Sequence, residues 1–153
     1  MTRPKKILVA YDGSADSKEA LNWAIDLSLL SGSRVIAAHV VEPDVMHRSS
    51  AMHQTGYGVT LFERIVEIQK MAEQQMANVV EIGNQQGIQI KTELLYGNIS
   101  ASIIDYAQKN EVDMIVSGTK GHGFFEQLLM GSVARNLVSL STVPVLLVKS
   151  TPA

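Results

Sequence analysis

Two glycine stretches in the last third of the sequence, Gly118-Thr119-Lys120-Gly121-His122-Gly123 and Gly131-Ser132, carry the residue types that hold phosphate groups. Glycine lets the backbone approach a ligand closely and take up positive φ, so that successive N–H groups can converge on an anion. Ser132 is expected at the N-cap of a helix, where the unpaired N–H groups of the first turn and the positive end of the helix dipole add attraction for negative charge. Loop and helix start can then share one polyphosphate, with Lys120 adding charge from within the loop. A third stretch, Asp12-Gly13-Ser14, sets a carboxylate at the end of the first apolar run. The spacing is neither a Walker A loop, which needs Gly-Lys-Ser/Thr, nor Gly-x-Gly-x-x-Gly after the first strand. From residue types alone two readings stay open. The glycines serve a turn and a tight helix–strand contact as well as they serve a ligand, and Asp12 is as suited to capping the first helix as to binding.

The elements that must position these residues follow from periodicity. Ile7 to Ala10 is a short continuous apolar run, as expected for a strand buried on both faces of a parallel sheet. Ser14 can cap a helix whose stripe is Ala20, Trp23, Ala24, Leu27 and Leu30 and which stops at Ser31-Gly32. Arg34 to Val41 is a second buried strand, and Pro43 to about Gly58 a long polar loop. Leu61, Ile65, Ile68, Ala72, Met76 and Val79 mark the longest helix, ending between Gly83 and Gly87. Strand Ile88 to Tyr96, helix Ile99 to Asn110, strand Met114 to Ser117, helix Ser132 to Leu140 and strand Val145 to Val148 complete the alternation. Strand and helix in strict turn imply right-handed crossovers and a doubly wound parallel sheet with helices on both faces. In such α/β sheets ligands bind beyond the carboxyl ends of the strands, where the strand order reverses. Both the Asp12 turn and the glycine loop follow strands, and this placement favours binding over a purely structural role.

Composition excludes several classes. The 153 residues, 46% of them hydrophobic, fit one compact domain spanning 1–153. With 13 Lys and Arg against 15 Asp and Glu the formal charge is -2, so no global positive field favours nucleic acid or acidic membranes. The absence of cysteine removes disulfide scaffolds, thiolate metal sites and thiol nucleophiles together. No segment reaches the ~20 apolar residues of a membrane span, and the basic start Arg3-Pro4-Lys5-Lys6 is followed by too short an apolar run for a signal peptide. The expected location is the cytoplasm.

The glycine spacing is specific. Gly118, two residues, Gly121, nine residues, then Gly131-Ser132 resembles the Gly-2x-Gly-9x-Gly-Ser/Thr signature of ATP-binding universal stress proteins. The resemblance extends over Lys6 to Ser14, His39-Val40 and Val143 to Val148, nearly the whole chain. It implies an open five-stranded sheet of order 3-2-1-4-5, like that of the adenine-nucleotide α-hydrolases, and a homodimer built through the last strand, Val143–Val148. It implies an adenine nucleotide, ATP or AMP, with Mg2+ held by the phosphates. By position, Ala10 and Asp12 would line the pocket, the Asp12 carboxylate accepting from ribose hydroxyls. Val40 would meet the adenine edge through its backbone. Ser117, Gly118, Gly121, Gly131, Ser132 and Val133 would surround ribose and phosphates.

Other residues are assigned packing or no role. His47 and His53, with Met46 and Met52, stand at no metal-ligand spacing. His39 in its apolar strand is expected to be a hydrogen-bonded core histidine. Phe124, Phe125, Leu128, Leu129 and Met130 are taken as core cover, with a partner surface as the alternative, and Trp23 as packing. Rapid phosphoryl transfer needs metal ligands, a group orienting the nucleophile and a stabilising cation, whereas the loop offers mainly backbone donors. No catalytic residue is assigned, and hydrolysis, if any, is expected to be slow. The sequence therefore reads as a nucleotide-dependent stress-response or regulatory protein open to a regulatory protein partner. The alternatives are a dimeric interaction protein with a structural glycine motif and an adenylating α-hydrolase-type enzyme. A flavodoxin-like carrier would place its phosphate loop after the first strand.

Overall fold

Ile7, Leu8 and Val9 have no exposed surface, which sets the first apolar run at the centre of a sheet. They belong to β1 (Lys6–Ala10) of a computed structural model that describes residues 3–43, 60–121 and 130–151. After β1 come α1 (Ala15–Ser31), β2 (Arg34–Val41), α2 (Leu61–Gln85), β3 (Ile90–Tyr96), α3 (Ile99–Lys109), β4 (Met114–Gly118), α4 (Ser132–Leu140) and β5 (Val145–Val148). The strands form one parallel five-stranded sheet in the order β3-β2-β1-β4-β5, the α/β architecture expected from the sequence. The expected loop beyond Pro43, with Met46, His47, Met52 and His53, and the stretch from Phe124 to Leu129 lie outside the described residues. Among the described residues no helix is long and apolar enough to cross a membrane.

Alternation along the strands sends successive side chains to opposite faces. Ile7 and Val9 pack with Ala20, Leu21, Ala24 and Ile25 of α1 and with Met76 and Val79 of α2. Leu8, Ile36, Ala38 and Val40 pack with Ile103 and Ala107 of α3 and Leu137 of α4. Each fully buried aliphatic side chain contributes about 1.5–3 kcal/mol relative to exposure, and in the sheet these are Ile7, Leu8 and Val9 of β1, Val35 of β2 and Ile115 and Val116 of β4. The most apolar strands therefore occupy the interior of the sheet.

Three local expectations are corrected. Along α1 the buried face runs through Ser17, Ala20, Leu21, Ala24, Ile25 and Ser28, while Trp23 is 49% and Leu30 81% exposed. The small residues at 17, 20, 24 and 28 let the helix axis approach the sheet, and Leu21 and Ile25 fill the gap, so the stripe is rotated away from Trp23. The helix stops where expected: Gly32 takes a left-handed φ of 78° and its N–H donates to the Ser28 carbonyl at 2.8 Å. In the second correction, Ile88 belongs to the turn before β3, because its N–H returns to the Gly83 carbonyl at 3.0 Å and closes α2. In the third, Leu61 is exposed: burial along α2 begins only at Ala72 and continues through Met76 and Val79, which pack in one cluster with Val35 and Ile90. At that helix's start Thr60 and Glu63 form a reciprocal capping box.

Candidate functional site

Strand order reverses at β1, whose neighbours β2 and β4 are reached by crossovers on either side, and such a switch point opens a crevice at the carboxyl ends. A cleft of about 460 Å³ lies there. Ala10, Tyr11 and Asp12 enter it from the end of β1, Ala38 to Glu42 from β2, and Ser117 to Gly121 from β4 and the loop after it. Gly131, Ser132, Val133 and Ala134 come from the start of α4, and Ile99 and Ile103 from α3. The ten residues singled out from the sequence all line this one cleft. The aliphatic side chains give it an apolar wall, and the loop and Asp12 give it a polar one.

The two halves of the glycine motif are joined directly. The Gly131 N–H donates to the Thr119 carbonyl at 2.7 Å, and the Thr119 N–H donates to the Val148 carbonyl at 3.1 Å, extending the β4–β5 ladder. This bond holds Gly131 extended, with φ -75° and ψ 168°, so Gly131 is the N-cap and Ser132 the first helical residue. The expected N-cap at Ser132 is thus one residue late. A glycine cap brings no side-chain acceptor, and the first-turn N–H groups of α4 have no intrahelical partner.

Gly118 answers to packing. A Cβ there would stand 2.6 Å from the Asp16 Cβ and 2.9 Å from the Asp16 carbonyl carbon, so only glycine lets β4 pass the first turn of α1. A Cβ at Gly121 would instead meet Asp12 Oδ2 at 2.8 Å, the end of a side chain rather than backbone. Asp12 also takes the turn role: its Oδ1 accepts the Ser14 N–H at 2.9 Å. Ser14 caps α1 as expected, accepting the Ser17 N–H at 3.3 Å. His39 is hydrogen bonded, its Nδ1 lying 2.9 Å from the Tyr11 carbonyl, which can only accept, so Nδ1 carries the proton. Burial, and then the neighbouring Asp12 charge, raise the Tyr11 pKa.

The sequence reading missed Asp16. This carboxylate is buried, 7% exposed, in the first turn of α1. Its Oδ2 accepts from Thr119 Oγ1 at 2.6 Å and from the Lys120 N–H at 3.1 Å. Its Oδ1 accepts from the Ser150 N–H at 2.9 Å and from Ser150 Oγ at 2.5 Å. Burial pushes the pKa up, but the hydrogen bonds from Ser150, Thr119 and Lys120 outweigh it and hold the carboxyl below the usual range. Asp16 thereby fixes the loop backbone that faces the cleft. The available signal was an acidic residue in a first helical turn four residues after Asp12, a pattern that by itself indicates only a favourable helix dipole contact. Among the described residues no group of three or more His, Cys, Asp or Glu is placed to hold a metal ion.

Comparison with known proteins agrees with this architecture. The sequence profile of the universal stress protein family matches residues 4–149. A universal stress protein of Methanocaldococcus jannaschii, MJ0531, is 33% identical over 95% of this chain and 82% of its own length. The structure of the protein MJ0577 superposes with a TM-score of 0.81 at 26% identity, covering 97% of this chain and 98% of that one. A universal stress protein from Archaeoglobus fulgidus, solved in complex with dAMP, superposes with a TM-score of 0.66 at 24% identity over 97% of this chain and all of its own.

Proposed function

This chain belongs to the universal stress protein family, and from that premise we propose that its cleft binds an adenine nucleotide, ATP or AMP. Binding makes it a nucleotide-dependent regulatory protein of the stress response, acting as a cytoplasmic homodimer. The observation that carries the reading is the Gly131 N–H to Thr119 carbonyl bond, which brings the loop after β4 and the open start of α4 together on the polar wall of the cleft, where the Asp12 carboxylate lies against Gly121. Backbone N–H groups there suit phosphate oxygens, the Asp12 carboxylate suits ribose hydroxyls, and the aliphatic wall of Val40, Ile99 and Ile103 suits a flat base. The dAMP complex of the Archaeoglobus fulgidus relative supports the ligand class. Magnesium would be carried by the phosphates. The nucleotide is read as a ligand that stabilises the fold and shifts conformer populations, without a dedicated catalytic residue.

The experiment is mass spectrometry of whatever the freshly purified protein releases, followed by titration with ATP and AMP in the presence of magnesium. Wild type should carry or bind an adenine nucleotide, and Asp12→Ala and Gly121→Val, checked for folding by circular dichroism, should bind it at least about tenfold more weakly. A folded wild-type protein that binds neither nucleotide would overturn the proposal. Gly118→Val is unsuited to this test, because its side chain would displace the backbone of α1.

A further inference from the structure

The amino ends of the strands, opposite the cleft, border a second cavity of about 600 Å³. Lys6 of β1, Arg34 of β2 and Lys91 of β3 line it, together with the amides of Asn84, Gln89 and Asn110, and no acidic residue does. The sheet register sets Lys6 directly opposite Arg34, and Lys91 opposite Ile36, two residues beyond Arg34. Residues two apart share a face, so the three cations leave one face of three neighbouring strands. Like charges placed directly opposite in a sheet are destabilising, and the chain as a whole is negative, -2, so these cations are not the by-product of a basic surface.

Little in the protein compensates them. Lys91 Nζ pairs with Glu93 at 2.9 Å, and Lys6 Nζ donates to the Asn110 carbonyl at 2.7 Å, an acceptor without formal charge. Asp113, nearby, is engaged by the backbone N–H groups of Lys5 and Lys6 at 2.7 and 2.9 Å. Among the described residues the Arg34 guanidinium has no acidic partner. Three cations thus face two carboxylates, Glu93 paired with Lys91 and Asp113 near Lys6, and the two lysines are held in place with donors left over.

We propose that this cavity binds a phosphorylated small molecule, its phosphate bridging Lys6, Arg34 and Lys91. The Arg34 fork can donate two parallel hydrogen bonds to a phosphate, and an ammonium has three donors, of which the protein uses only some. The volume exceeds what a phosphate ion fills, and of the lining residues the half-buried Val80 and the Tyr106 ring offer apolar surface for the organic part. The site lies at the other end of the sheet from the nucleotide cleft and stands whether or not that cleft binds a nucleotide.

The test uses glucose 6-phosphate as the probe and glucose as its control, at low ionic strength, followed by amide chemical shifts. Glucose 6-phosphate should shift the amides of Arg34, Lys91 and Asn110, and glucose should leave them unmoved. Arg34→Gln and Lys91→Gln, both at exposed positions that leave the fold intact, should each weaken binding about tenfold while adenine nucleotide binding is unchanged. Shifts confined to Gly118–Gly121 and Ser132, equal shifts with glucose, unaltered affinity in both variants, or no shifts at millimolar probe would each overturn the proposal.

Discussion

Asp16 and Ser150, 134 residues apart, are joined through a single oxygen: Oδ1 accepts both the backbone N–H and the hydroxyl of Ser150. The other oxygen of the same carboxylate holds Thr119 and Lys120. One buried side chain at the start of α1 therefore ties the segment leaving the edge strand β5 to the loop that lines the cleft, and any displacement of β5 is felt by that loop through a rigid group.

Replacing this carboxylate should be costly. Asp16→Ala leaves Thr119 Oγ1, the Lys120 N–H and the Ser150 N–H without their acceptor, each worth about 1–3 kcal/mol when buried, so a loss on the order of 3 kcal/mol is expected. Asp16→Asn keeps one acceptor oxygen but replaces the other with an NH2 that faces donors, and should fall between. Urea unfolding midpoints measure both, and an Asp16→Ala midpoint equal to wild type would show that the network contributes nothing.

The same group gives the protein an acid limb. Folded-state pKa values below the unfolded ones, as for Asp16 through its hydrogen bonds and for Asp113 through the Lys5 and Lys6 N–H groups, mean that the unfolded chain binds protons first on acidification. Their stabilisation is present above the unfolded carboxylate pKa, about 4, and is lost as pH falls through the folded values. Unfolding midpoints between about pH 6 and pH 3 should decline in wild type, and more gently in Asp16→Asn. Parallel curves would assign the decline to other groups.

Gly118 and Gly121 should separate stability from binding. Gly118→Ala drives a methyl against the α1 backbone and should cost about 2 kcal/mol. Gly121→Ala meets a side-chain oxygen of Asp12 rather than backbone, and its stability should fall by less than that of Gly118→Ala while nucleotide affinity falls. Thermal unfolding with and without ATP reads both quantities in one experiment.

The edge strand β5 leaves Val145, Leu146 and Leu147 only partly covered, and an uncovered apolar edge favours pairing with another strand. If the proposed homodimer forms there, Leu147→Lys, at the one partly covered β5 position that packs into neither core cluster, should shift the sedimentation coefficient toward that of a monomer. A dimer that survives the change uses another surface.

The order of elements was legible because each strand is a short apolar run bounded by turn residues, and the glycine spacing located the loop and the helix start. Periodicity did not reveal which side of α1 faces the sheet. Ala20, Trp23, Ala24 and Leu27 satisfy a helical repeat as well as Ala20, Leu21, Ala24 and Ile25 do, and only the close approach permitted by Ser17 and Ser28 decides between them. Asp16 was hidden for a different reason. Its partners lie far along the chain, and no local pattern distinguishes a carboxylate that will be buried among donors from one that remains at the surface. Gly118 showed the converse, since a residue recognised by its motif spacing proved to be required by helix–strand contact as well.

Asp16 is synthesised long before the groups that satisfy it, Thr119 following 103 residues later and Ser150 134. A nascent chain that has released β1, α1 and β2 from the ribosome carries a carboxylate whose native partners have not yet been made, and it remains hydrated until they arrive. The loop between β4 and α4 gains its full anchorage only when residue 150 has left the exit tunnel, after the last strand. The proposed nucleotide cleft is in this sense completed late, once translation has passed the whole sheet.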